Sequence, residues 1–243
     1  MAVPYTPDPH NKQLLPLGVN PTNSRPITLD LDFYPHLAIA GWTGGGVTSV
    51  MRLIAAHAVH TGSTVTVIDP SMCSFGALEN VTGIDIHSDL DAIRDAIAAF
   101  HAEMTARFES RTKGARRLLV IDGLPTLVRM AKIKENRALA NSLRALKQVV
   151  LTGRAADCHL VTDIDRTALR FLGAEFTESA TALVLGKVSA DLAQRLGIDP
   201  NQRRTYRGAG VLRTPGSDSR QIALAYLTEE QARIVATRAP AAD

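Results

Sequence analysis

The stretch HLAIAGWTGGGVTS, residues 36–49, constrains the fold more than any other part of the chain. A short apolar run leads into Gly41, Gly44, Gly45 and Gly46, and Thr48 then opens a helical pattern. Glycine lets successive backbone N–H groups turn inward, and a helix N-terminus directly behind them favours negative charge. Against GxxxxGK[ST], the chain reads Gly41-Trp42-Thr43-Gly44-Gly45-Gly46-Val47-Thr48, so every fixed position is met except the lysine, where Val47 stands. A phosphate or nucleotide held here would meet Gly41, Thr43, Gly44, Gly45, Gly46, Thr48 and Ser49, with the Thr48 hydroxyl placed to ligate magnesium.

The same pattern recurs along the chain. Strand-like runs at 36–40, 64–68, 118–121, 158–162, 182–185 and 221–227 alternate with helical stretches at 48–60, 89–112, 135–153, 166–173 and 189–196. Short β-rich runs separated by helices predict βαβ units around a buried, mainly parallel sheet. Thr228 and Gln231 form a capping box that opens a last helix. At 243 residues and 45% hydrophobic content the chain suits one α/β domain. Its expected divisions are a proline-rich extended lead-in at 1–26, the domain proper at 27–237 and a tail at 238–243.

No signal-like start and no apolar run of about 18 residues is present, which predicts a chain with no membrane segment of its own, in the cytoplasm. Cys73 and Cys158 stand far apart and outside any metal-ligand spacing, so both are expected as buried packing residues in a reducing compartment. The net charge is +3, with basic concentrations at 106–117, 129–137 and 203–213. Such patches either follow a phosphate backbone or are solvated surface.

A second element fits the glycine loop. RRLLVIDG ends an apolar strand on Asp122, whose carboxylate would reach a magnesium ion from a nearby strand; Gly123 follows where many phosphate-loop ATPases have a catalytic glutamate. Losing the lysine removes a charged hydrogen bond worth about 1.5–3 kcal/mol, a factor of roughly 10 to 150 in affinity. Losing the general base removes about 10² to 10⁴ in rate. Arg52, one helical turn beyond Thr48, is a candidate replacement cation. Two other readings of the glycines stand beside this one. Gly44-x-Gly46-x-x-Ser49 with Asp69 imitates a dinucleotide fingerprint, and the glycines would also serve merely as a tight strand-to-helix turn.

LLPLGVNPTNSRPITLDLDFYPHLAIAG (14–41) resembles the approach to the motor domain of the FtsK/SpoIIIE DNA translocase family. VTVIDP (65–70) is similar to that family's second strand, LLVID (118–122) to its Walker B strand and GRAADCHLV (153–161) to the lead into its sensor strand. TALVLGKVSADLAQRLG (181–197) and GAGVL (208–212) resemble later segments. The resemblance implies a RecA-like P-loop fold, ATP and magnesium as cofactors, and relatives that form hexameric rings pumping double-stranded DNA. It also implies a degenerate catalytic set: Val47 for the Walker A lysine, Gly123 for the Walker B glutamate, and Asp165 where the family's ATQRP has glutamine, with Arg166 kept. The expected function is therefore a weak or inactive ATPase that acts by binding DNA, by assembling with itself in a ring, or by assembling with an active relative. An active translocase with a non-standard loop is the alternative, and a dinucleotide-binding protein a further one. Arg129, Lys132, Lys134 and Arg137 are the expected DNA contacts, or else the exposed start of a helix. Arg154 and Arg166 are expected as inter-subunit arginines or as buried ion-pair partners.

Overall fold

The computed structural model describes residues 3–5, 14–133, 136–202 and 208–238. The chain begins with β1 (Val3–Pro4), β2 (Leu14–Val19), β3 (Pro26–Asp30) and β4 (His36–Gly41), followed by α1 (Val47–His60) and β5 (Thr64–Ile68). Then come β6 (Ile84–His87), α2 (Leu90–Ser110), β7 (Arg117–Ile121), α3 (Leu124–Ile133), α4 (Arg137–Thr152) and β8 (Cys158–Asp163). The last third holds α5 (Arg166–Leu172), α6 (Ala174–Ser179), β9 (Ala180–Leu185), α7 (Ala190–Arg195), β10 (Ala209–Arg213), β11 (Arg220–Tyr226) and α8 (Glu229–Thr237).

All the strands join one sheet in the order β3-β2-β11-β10-β9-β4-β8-β7-β5-β6, with β1 paired to β11. From β9 to β6 the strands are parallel, and from β9 towards β3 they are antiparallel. The parallel half is apolar on both faces, as helices on both sides require. Along β4, Ala38 and Ala40 face α2–α6, while Leu37 and Ile39 face α1 and α8. α1 is buried from Val50 to Ala58, including Arg52 and His57. The Thr228–Gln231 capping box forms at α8.

Two parts of this architecture were not expected. The lead-in contributes β2 between β11 and β3, burying Leu15 and Leu17; β2 bulges between Pro16 and Gly18. α3 begins directly after the strand end at 121 despite Pro125. A proline in a helix's first turn costs nothing, because its missing N–H has no partner there. Leu124, Leu127 and Val128 then bury one face. Cys158 is buried as expected, but Cys73 is exposed, because its loop runs over the carboxyl-terminal end of the sheet rather than under it. Both thiols are free. Among the described residues no helix is long and apolar enough to cross a membrane.

Candidate nucleotide cleft

A cleft of about 620 Å³ opens at the carboxyl ends of β4, β7 and β8. Open parallel sheets place ligands at this end, where loops diverge and helix N-termini point. Its floor is the glycine loop. Gly44 and Gly46 have positive φ, 81° and 101°, and the Gly45 N–H closes the turn on the Trp42 carbonyl at 2.8 Å. Gly46 caps α1 without any side-chain hydrogen bond, and the first turn contains no acidic residue. The first-turn N–H groups of α1 are thus left for a ligand.

Thr48 and Asp122 meet as the sequence predicts: the Thr48 hydroxyl donates to Asp122 Oδ2 at 2.7 Å. Burial pushes the Asp122 carboxyl above its ordinary range, against the hydrogen bonds from Thr48 and Ser74; Asp69 adds to the rise and Arg52 opposes it. This hydroxyl–carboxylate pair suits magnesium, a hard cation that takes one or two protein oxygens and completes its shell with phosphate and water. Among the described residues no group of three or more His, Cys, Asp or Glu is arranged to hold a metal unaided.

Two side chains of the loop, Val47 and Trp42, lie against protein. A Cβ at Gly41 would stand 2.7 Å from Val47 Cγ2 and 3.2 Å from Leu185 Cβ, so the valine packs at the ends of β4 and β9 and belongs to the edge of a hydrophobic core. The Trp42 indole lies over Gly45 and Gly186, with a Cβ at Gly186 only 2.6 Å from its Nε1, and it remains 58% exposed at the mouth. On the loop's other flank a hollow of about 430 Å³ lies among Gly46, Ser49, Val50, Leu224 and Tyr226, and Trp42 does not line it. The indole therefore does not obstruct that side, which is apolar enough for a base.

Gly123 follows Asp122 with φ +126°, and a Cβ there would sit 2.9 Å from the Pro70 ring. Any larger residue at this position meets both backbone strain and a steric block. The N–H groups of Gly123 and Leu124 donate to Asp163 Oδ1 at 2.8 and 2.9 Å, which anchors the start of α3 to the end of β8. Burial raises the Asp163 carboxyl to about 6 even though both hydrogen bonds oppose the rise.

Asp165 spends Oδ1 on capping α5, accepting from Thr167 N and Ala168 N at 2.7 and 2.9 Å. Its Oδ2 takes the Arg129 guanidinium at 2.7 Å. Arg129 thus lines the cleft, a position the sequence did not indicate. Of the other expected DNA contacts, Lys132 is exposed on α3 and Arg137 is exposed at the start of α4, whereas Lys134 lies outside the described residues, as does 203–207 of the third basic concentration. Arg52 is not a replacement cation. Its guanidinium donates to the Ser74 carbonyl and pairs with Glu229 at 3.1 Å, so it ties the loop after β5 to α8. Nor can Asp69 bind a ribose, because it is 2% exposed and accepts from Ser71 and from Ser74 N. Arg154 and Arg166 lie apart. Arg154 is exposed before β8, at the opposite end of the sheet. Arg166 is exposed beside the cleft and pairs with Asp191 at 3.0 Å, so neither is a buried ion-pair partner.

No protein-family model matches the chain. It is similar to the FtsK domain-containing protein YdcQ of Bacillus subtilis (strain 168), with 26% identity over 160 residues, 60% of this chain and 33% of that one. The chain thus spans about a third of the length of this curated relative. Among solved structures it resembles the pCW3 conjugation coupling protein TcpA, in its monomer form with ATPγS. The TM-score is 0.82 at 18% identity, covering 96% of this chain and 73% of that one. It also resembles the cytoplasmic domain of the Thermomonospora curvata type VII secretion ATPase EccC, with a TM-score of 0.77 at 20% identity, covering 93% and 28%. With the strand–glycine loop–helix unit and the Asp122 strand, these define a P-loop ATPase fold of the RecA-like, α/β type. Within that class the chain is FtsK-like.

Proposed function

We propose that this FtsK-like domain takes up a magnesium–nucleotide weakly, turns it over slowly or not at all, and acts by contact with double-stranded DNA or with a ring of like subunits. The observation that carries this reading is the packing of Val47 against Gly41 and Leu185, where a lysine would extend over the phosphates. The lining of the cleft supports it. Asp122, Asp163 and Asp165 face the space with one guanidinium, Arg129, so a free polyphosphate would be repelled and only its magnesium complex has a favourable partner in Asp122. Gly123 supports it further, since a glutamate there would need a left-handed backbone and the volume of the Pro70 ring.

What the site retains is specific. Open N–H groups at the start of α1 would orient the phosphates, and the Thr48–Asp122 pair would hold the metal. The intact pair is also the observation that favours a second reading, an active ATP-driven DNA translocase with a non-standard loop. For DNA, Lys132 and Arg137 are the exposed candidates on α3 and α4, with Lys134; each phosphate contact adds about 0.9 to the slope of affinity against salt. Arg166, exposed beside the cleft, is the candidate for contact with a neighbouring subunit. A cytosolic setting fits the two free thiols.

Calorimetric titration with Mg-ATP tests the reading. Wild-type protein is expected to bind in the upper micromolar to millimolar range, and Val47→Lys to bind roughly 10- to 150-fold tighter. Brisk ATP turnover by the wild type with DNA present would replace this reading with the second.

A further inference from the structure

We propose that Arg129 is the phosphate-binding cation of this cleft, held in reserve on Asp165 until nucleotide arrives; the inference rests on the nucleotide reading above. A polyphosphate entering the cleft meets one basic side chain among the described lining residues, and that is Arg129. The two positions from which a cation would be expected first supply none. The lysine position holds Val47, folded onto β4 and β9, and Arg52 is spent on the Ser74 carbonyl and Glu229.

Arg129 is carried to the cleft by a rigid path. Asp163 fixes the first turn of α3 through the N–H groups of Gly123 and Leu124, while Leu127 and Val128, almost wholly buried, set the rotation of the helix. The guanidinium itself is only loosely held. Its side chain is 48% exposed, and its one partner among the described residues is Asp165. Asp165, in contrast, is fixed, because its other oxygen caps α5. One side of the pair is an anchor and the other a pivot.

The energetic order favours transfer. An exposed ion pair is among the weakest of charged contacts, whereas a guanidinium fork on phosphate oxygens makes parallel charge-assisted bonds against a more highly charged partner. Arg129 therefore leaves Asp165 for the phosphate when nucleotide binds, and in the empty cleft Asp165 competes for it.

Trp42 is the chain's one tryptophan and sits at the mouth of the cleft, so its fluorescence reports occupancy alongside calorimetry. Titration with Mg-ATP should show Arg129→Gln binding about 10- to 100-fold more weakly than wild type with an unchanged melting temperature. Arg129→Lys should fall between the two. Asp165→Asn, which keeps a capping side chain and removes the competing charge, should bind more tightly than wild type. Equal affinity in Arg129→Gln and wild type would overturn the proposal while leaving the nucleotide reading intact. A joint loss of binding and melting temperature would also overturn it, since Arg129 would then act on the fold. A wild-type protein that does not bind at millimolar Mg-ATP would overturn the nucleotide reading itself, and this inference with it.

Discussion

The two ends of the parallel sheet solve the problem of polar groups in opposite ways. At the amino-terminal end most buried polar side chains find partners within the protein, Arg117 Nε and Thr181 Oγ1 being the exceptions among the described residues. His36 is fully buried, with Nε2 on the Val150 carbonyl and Nδ1 accepting the Leu160 N–H. His159, equally buried, has an acceptor for each ring nitrogen: the Pro35 carbonyl at 3.0 Å and Asp157 Oδ1 at 2.8 Å. Arg116 joins Asp157 to Asp32. At the carboxyl-terminal end the α1 N–H groups have no side-chain cap, and burial drives the Asp122 and Asp163 carboxyls upward. One end is closed and pairs its ionisable groups internally, and the other is left incomplete, as a ligand site must be.

The closed end should therefore carry the larger stability penalty when broken. Burial alone would raise the Asp157 carboxyl, but hydrogen bonds from His159 and Arg116 outweigh it and hold the group at about 2. Asp157→Ala leaves His159 buried without its carboxylate and should cost about 3–5 kcal/mol by urea denaturation at neutral pH. Asp157 also has φ 54°, a left-handed backbone that asparagine tolerates better than alanine, so Asp157→Asn should cost less. The pH sign follows from the direction of the shifts. Asp157 is depressed below an unfolded value of about 3.9, so its contribution is present above that pH and is lost as the pH falls through about 2. His36, lowered to about 3 mainly by burial and next by the nearby His159 charge, acts in the same direction: the unfolded chain takes up its proton first as pH drops below about 6.5.

The open end should answer pH with the opposite sign. Asp163 has a raised value of about 6, so between about 4 and 6 the folded chain holds the proton that the unfolded chain has released. Its stability contribution is complete below about pH 4 and is lost as pH rises through about 6. Asp163→Asn retains an oxygen for the Gly123 and Leu124 N–H groups without the ionisation cost. It should stabilise the fold by about 1–3 kcal/mol at pH 8, with the gain vanishing near pH ~4. A gain that does not vary with pH would mean that something other than carboxylate ionisation is being relieved.

The contrast also explains what the sequence disclosed. Strands and helices of the parallel half announce themselves through apolar runs with local periodicity, and the spacing of Gly41–Thr48 and Asp122 suggests a phosphate loop, which the family resemblance favours over a dinucleotide fingerprint or a plain turn. The antiparallel edge did not, because the proline-rich segment before residue 27 reads as extended chain until β11, some two hundred residues later, supplies its partner. Arg129 was equally hidden. A basic run next to a proline looks like solvated loop, and its place in the cleft depends on Asp163 seizing the start of α3 across the sheet. Arg52 failed in the reverse sense: helical spacing placed it near Thr48, but spacing says nothing about the Ser74 carbonyl and Glu229 that claim it. Local pattern reveals backbone devices, whereas the allegiance of long cations is decided by tertiary contacts.

The smallest expected effect on stability is the sharpest test of the open end. Asp165 does two jobs there, capping α5 through Oδ1 and holding Arg129 through Oδ2. Asparagine caps a helix about as well as aspartate, and an exposed pair such as Arg129–Asp165 contributes only about 0–1 kcal/mol. Asp165→Asn should therefore shift unfolding free energy by no more than about 0.5–1 kcal/mol, while Asp165→Ala should lose about 1 kcal/mol more with the cap. Should Asp165→Asn instead destabilise as severely as Asp157→Ala, the cleft would be knitted into the fold as tightly as the opposite end. Its carboxylates would then be structural, and the asymmetry between the two ends of the sheet would be one of shape alone.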